Sequence, residues 1–345
     1  MIERFGKSFL DIIDLKQSFF EENEALLERA NDQARLYLNQ PLRTACKLCD
    51  GLLPETGSIV KSGIPYAVCD TCGHLNGLHE DTDEFAFEIY VARGGTEYAK
   101  NYTAQDRERY LQRRDAIYLP KVDFLFDVLR DLGVDPTPLR YADMGAGAGY
   151  LVDALRHRNA ENARGYEPGA ALVAMGNEMM GDELIDQIDI RDVEGLAVAA
   201  DVDVLSFIGV FEHLQRLRDT LAAVRENRGA RFLYVCVPMF SATVFNEAVF
   251  PKVMPRHLAG GHTHLFTRSS LAHMEKEFSL ERVGAWWFGT DVMDYYRSVA
   301  VSLPPESEAQ WRDLYAPLVD NVQLVIDEAR ASSQVHLVYR LSSAA

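Results

Sequence analysis

Tyr141-Ala142-Asp143-Met144-Gly145-Ala146-Gly147-Ala148-Gly149 is the stretch whose reading decides the fold. A short apolar run ends at Asp143, and glycines follow at alternate positions. An apolar stretch with helical spacing then opens at Tyr150. A strand that passes through a glycine-rich turn into a helix is the sequence form of a nucleotide-cofactor loop. Glycine permits positive φ and lets a ligand approach bare backbone. The helix start adds unpaired N–H groups and a partial positive charge.

The segments downstream extend this reading. Arg164-Gly165-Tyr166-Glu167-Pro168 ends a second strand, and Glu167 lies 24 residues after Asp143. At about that distance beyond the glycines a carboxylate can accept hydrogen bonds from ribose hydroxyls. Val202–Phe207 reads as a buried strand leading into Ile208-Gly209-Val210-Phe211-Glu212-His213-Leu214, and Arg231–Val237 is another, stopped by Pro238. Strands alternating with helical stretches predict an α/β parallel sheet. Ligands of such sheets sit outside the carboxyl ends of the strands, where the strand order reverses.

The glycine spacing differs from the Gly-x-Gly-x-x-Gly of dinucleotide enzymes. It resembles the first motif of the class I S-adenosylmethionine-dependent methyltransferases. Glu167 matches the acidic residue ending that family's second strand, and Phe207–Leu214, with Glu-His-Leu, matches its fourth-strand motif. The likeness covers residues 140–345. It implies a Rossmann-like sheet with S-adenosylmethionine against Gly145, Ala146, Gly147 and Gly149. Asp143 would hold the cofactor's amino group and Glu167 its ribose. Pro168, Val193, Ile208 and Gly209 would line the same site. Asp192 fits the acidic residue facing adenine, with Asp189 as its rival.

Cys46, Cys49, Cys69 and Cys72 form two Cys-x2-Cys pairs 19 residues apart, the spacing of a four-thiolate zinc site. Four sulfurs leave no open position for water, so such a metal is structural. The competing reading is two disulfides, which needs an oxidising compartment. The first 15 residues, with Glu3, Arg4, Lys7 and Asp11, do not read as a signal peptide, so a cytoplasmic protein is expected. Cys236 lies within a buried strand pattern and reads as a small core residue.

With 345 residues, 48% of them hydrophobic, the chain is long enough for a large domain and a smaller one. No apolar run approaches the ~20 residues of a membrane span. The net charge of −17 argues against a nucleic-acid partner. Residues 1–43 carry Phe5, Phe9, Ile12, Ile13, Leu26, Ala30 and Ala34 at near-helical spacing and are read as a helical segment. That segment either packs as a bent pair on its own domain or makes a homo-oligomer contact. Residues 44–82 are the ribbon, and 83–132 a helical connector rich in tyrosine, including Tyr98 and Tyr102, which could close over the cofactor. Residues 133–345 are the cofactor domain, with a late helical insertion at 290–331 before a final strand.

Three of the nine histidines, His257, His262 and His264, fall within eight residues. In the resembled family His264-Leu265-Phe266-Thr267 matches a segment bordering the acceptor pocket. Methyl transfer to a neutral oxygen or carbon requires loss of a proton, a task suited to histidine near neutral pH. His213 and His264 are the two candidate bases, and Glu212 would hold His213 or bind substrate. A ribbon ahead of this core, with Glu-His-Leu and the late histidine, resembles the nucleotide-sugar C-methyltransferases. That implies a small-molecule acceptor, a sugar intermediate first. The additional C-terminal domain of that group is not expected from the stretch after the last strand, so other small metabolites stay open. RNA or ribosomal-protein methylation, with the ribbon as reader, and a non-catalytic scaffold are the alternatives.

Overall fold

The computed structural model describes residues 1–9, 15, 18–92, 107–258 and 261–341. Its strands are β1 (Ile2–Phe5), β2 (Ile59–Lys61), β3 (Ile64–Val68), β4 (Leu75–Gly77), β5 (Tyr141–Met144) and β6 (Ala163–Glu167). They continue with β7 (Ile185–Gln187), β8 (Val204–Ile208), β9 (Phe232–Pro238), β10 (His264–Leu265), β11 (Leu280–Trp287) and β12 (Gln334–Leu341). Eight of them form one sheet in the order β1-β11-β12-β9-β8-β5-β6-β7. β12 runs antiparallel to both its neighbours, β9 and β11, while the other pairings are parallel. The order reverses between β5 and β8, which opens a crevice at their carboxyl ends.

The central strands are short and apolar because both faces are covered. All seven residues of β9 are buried. On one face Val122, Leu125 and Val128 of the helix Leu119–Asp131 join Tyr141, Val204 and Val338. That helix carries Pro120 in its first turn, where the missing N–H costs no intrahelical bond. The helix belongs to the sheet's core, so the boundary expected at 132 separates nothing. The insertion is helical, with helices at Asp291–Ser302, Pro305–Tyr315 and Val319–Glu328.

One expectation for the amino-terminal part needs correction. Ile2–Phe5 is a strand, not the start of a helix, and pairs in parallel with Gly284–Trp287 of β11. The open edge of β11 offers backbone partners that outweigh the weak helical spacing of a few apolar residues. The helix Asn23–Leu38 does form, and its buried stripe of Leu26, Ala30, Ala34 and Tyr37 lies inside the chain. Ala34 and Tyr37 pack on Ile64, Tyr66 and Leu75 of the ribbon.

The ribbon is not self-contained either. Its sheet runs β10-β4-β3-β2, so the late loop supplies a strand, with His264 opposite Asn76 and Leu265 opposite Leu75. Cys46, Leu48, Cys69 and Cys72 share a core cluster with Phe211, Leu217 and Phe266 of the large domain.

Candidate functional site

The crevice at the strand reversal is a cavity of about 230 Å³. Asp143–Ala148 forms one wall, Glu167 and Pro168 a second, and Ile208, Gly209 and Val210 a third. The glycine loop takes left-handed backbone at Gly145, Gly147 and Gly149, with φ of 71°, 56° and 76°. A Cβ on Gly145 would lie 2.6 Å from Val210, whereas one on Gly147 would meet nothing within 4 Å. Gly147 is therefore bare toward open space, where a ligand has room to approach. Gly149 does not line the cavity; it caps the helix Tyr150–His157 and lies against Met180 and Ile185.

Glu167 braces this loop. One carboxylate oxygen accepts from the Gly147 N–H at 2.9 Å and the other from the Gly169 N–H at 2.9 Å. Burial raises its pKa, and the two amides oppose that rise. Asp143 is buried and pushed up to about 7 by desolvation, countered by the Ser206 hydroxyl, which donates to it at 2.7 Å. The pocket continues past Ile188, Ile190 and Val193, an apolar slot. Asp192 and Asp189 are both exposed and stand outside the lining, and Asp189 accepts from the Arg191 N–H instead. The residues facing the slot are thus aliphatic, a feature that spacing of acidic residues could not reveal.

Tyr118 and Tyr150 line the other end and stack with ring centroids 5.1 Å apart. Tyr98 and Tyr102 lie outside the described residues. Tyr90, from the helix Phe87–Ala92 before that segment, does reach the cavity. It was legible only as one of several tyrosines in a helical connector. Its hydroxyl donates to the Gly261 carbonyl at 2.6 Å and sits 2.9 Å from Nδ1 of His213.

His213 lines the cavity, on the turn after β8. Its Nδ1 is 2.8 Å from the Gly261 carbonyl. A carbonyl only accepts, so Nδ1 carries the proton and Nε2 keeps a lone pair. Burial lowers the His213 pKa to about 4, with the Gly261 bond opposing. The ring is therefore neutral near pH 7. Glu212 does not line the cavity; it lies buried beside Gly209, and desolvation pushes it up to about 8. His264 is corrected more strongly. It is wholly buried in β10, its Nδ1 lies 2.8 Å from Nε2 of His74, and it is not among the cavity residues. Strand pairing with β4 draws it into the ribbon and away from the crevice.

The four cysteine sulfurs lie within 4.8 Å of one another. The sulfurs of Cys46 and Cys72 are 3.6 Å apart, those of Cys49 and Cys69 3.5 Å. A disulfide requires about 2.05 Å. Sulfurs at the corners of a tetrahedron with metal–sulfur bonds of about 2.3 Å stand roughly 3.8 Å apart. The four cysteines are free and positioned to hold a metal ion, and the geometry is compatible with zinc. Asn76 donates to the Cys46 sulfur at 3.5 Å and accepts from the Lys47 N–H at 2.9 Å.

No protein-family model matches the sequence, and no curated protein matches it. Solved structures do. One is magnesium protoporphyrin IX methyltransferase from Synechocystis with bound SAH, at 10% identity over 76% of this chain and 100% of that one, TM-score 0.48. Another is geranyl diphosphate C-methyltransferase from Streptomyces coelicolor, at 14% over 68% and 83%, TM-score 0.41. A third is the methyltransferase domain of bacterial CtHen1, at 15% over 67% and 100%, TM-score 0.41. Strand order, the antiparallel β12 and the glycine loop give the chain a Rossmann-like α/β fold. Among the described residues, no helix is long and apolar enough to cross a membrane.

Proposed function

We propose that the chain is an S-adenosylmethionine-dependent methyltransferase acting on a small molecule, a nucleotide-linked sugar or a related biosynthetic intermediate. The observation that carries this reading is the Glu167 carboxylate bonded to Gly147 and Gly169 in the wall of the cavity. It holds the glycine loop ready and leaves lone pairs on both oxygens for ribose hydroxyls. Ile188, Ile190 and Val193 would take a purine in their apolar slot, and Asp143, which lines the same cavity, would receive an ammonium group.

S-adenosylmethionine supplies a methyl group already activated on a sulfonium. The chain's own work is positioning and proton removal. His213 offers its Nε2 lone pair to the acceptor's proton, while Gly261 and Tyr90 hold the ring. The four cysteines would hold a structural zinc ion, with no coordination position left for chemistry.

Calorimetric titration with S-adenosylmethionine tests the cavity. Wild type should bind, and Glu167→Ala should weaken binding at least tenfold, an effect far larger than its cost to folding. Unchanged affinity would remove Glu167 from the site. Labelled cofactor offered with a panel of nucleotide sugars tests the acceptor class. His213→Gln should lower turnover by about 10²-fold or more, the usual contribution of a positioned base.

A further inference from the structure

We propose that Glu212, His213 and His262 form a second metal site, one that takes a divalent cation of nitrogen and oxygen preference at the acceptor end of the cavity. The proposal rests on reading the cavity as the cofactor site. Two imidazoles and one carboxylate have ligand atoms within 4.8 Å of one another. Among the described residues, the only other such group is the four cysteines.

The hydrogen bonds of the two rings point the same way. Nδ1 of His213 lies 2.8 Å from the Gly261 carbonyl, and Nδ1 of His262 lies 3.1 Å from the His257 carbonyl. Each Nδ1 is thereby the proton-bearing nitrogen, and each Nε2 keeps its lone pair. Metal-bound histidines are oriented in just this manner, with the nitrogen away from the metal donating to a carbonyl or carboxylate. The two rings sit 4.9 Å apart, centroid to centroid.

Glu212 supplies the second, independent observation. It is 4% exposed, and its Oε2 is buried with no hydrogen-bond partner. A buried carboxyl oxygen without a hydrogen-bond partner is costly unless something else satisfies it. A cation between it and the two imidazoles does so. The neighbouring histidines are spent elsewhere: His264 on His74, and His257 on Glu247 and the Ser333 carbonyl.

Three protein ligands leave coordination positions open, and two imidazoles with a carboxylate suit Mn²⁺, Fe²⁺, Co²⁺, Ni²⁺ or Zn²⁺. His213 is the ligand that also lines the cavity, so the open positions lie toward the acceptor. In the loaded protein the Nε2 lone pair of His213 belongs to the cation, and an acceptor oxygen binds beside it. The free-base role of His213 is then confined to the metal-free form.

The test is titration of the full chain, its thiolate site filled with zinc, with Mn²⁺ and separately with Ni²⁺, followed by calorimetry and, for Mn²⁺, loss of the free-ion paramagnetic signal. Wild type should take up about one further cation per chain. Glu212→Gln and His262→Gln should each weaken that uptake at least tenfold while binding SAH within about threefold of wild type. No uptake of either cation, or equal uptake by both variants, overturns the site. The SAH arm separates the two ideas: if wild type takes up the cation but not SAH, the cofactor reading fails and the metal site stands.

Discussion

Glu212 illustrates how one residue can carry information that its sequence position only hints at. The Glu-His-Leu triplet marked it as a candidate, but its burial beside Gly209 and its unpaired oxygen are properties of the packing. Its folded pKa of about 8 lies above the ordinary carboxylate value, because desolvation disfavours the charged form. The folded state therefore holds a proton that the unfolded chain has released. The stabilising contribution is complete below about pH 4.5 and is lost as pH rises through 8, at no more than about 1.4 kcal/mol per pH unit. Without added divalent cation, Glu212→Gln should be more stable than wild type at pH 8.5, and the gap should close toward pH 4.5. Denaturant unfolding of both proteins across that range measures it. A gap that is constant with pH would mean that Glu212 is ionised in the folded protein.

At the scale of elements, β10 is the link between ribbon and crevice. It pairs with β4, and the Gly77 N–H donates to the Thr263 carbonyl at 2.8 Å. The loop that leads into β10 carries Gly261 and His262, which orient and adjoin His213. A metal held by the four cysteines would thus support the strand that follows His262. Chelation under reducing conditions should strip amide-exchange protection from β2, β3, β4 and β10, while β5, β8 and β9 stay protected. Hydrogen exchange read by mass spectrometry checks this, and unchanged protection in β10 would uncouple the two. The cysteine spacing made the ribbon legible, since ligand pairs on tight turns are local patterns. The strand from 264–265 was not legible, because two residues carry no periodicity and their partner lies far away in sequence.

For the whole molecule, β1 closes the outer edge of the large sheet. Trp286 donates to the Gly6 carbonyl at 2.9 Å, and Arg4 lies over the rings of Phe124 and Trp286 while pairing with Asp127. Deleting residues 1–6 should cost on the order of 2–4 kcal/mol, from several backbone hydrogen bonds and the apolar area of Ile2 and Phe5. It should also expose the edge of β11, an invitation to pairing between chains. Denaturant midpoint and light scattering report both effects. An unchanged midpoint would make β1 a passive arm.

The glycine turn, the acidic residue that follows it, the buried strands and the two cysteine pairs were decided by the amino-acid sequence alone. Each is a short pattern whose backbone or ligand chemistry acts over a few neighbouring residues. Three features were decided only by the folded chain: the strand at the amino terminus, the placing of His264 against His74, and the meeting of His262 with Glu212 and His213. They depend on which sheet edges stand open and which buried polar groups lack a partner, and those are settled by contacts between residues far apart along the chain.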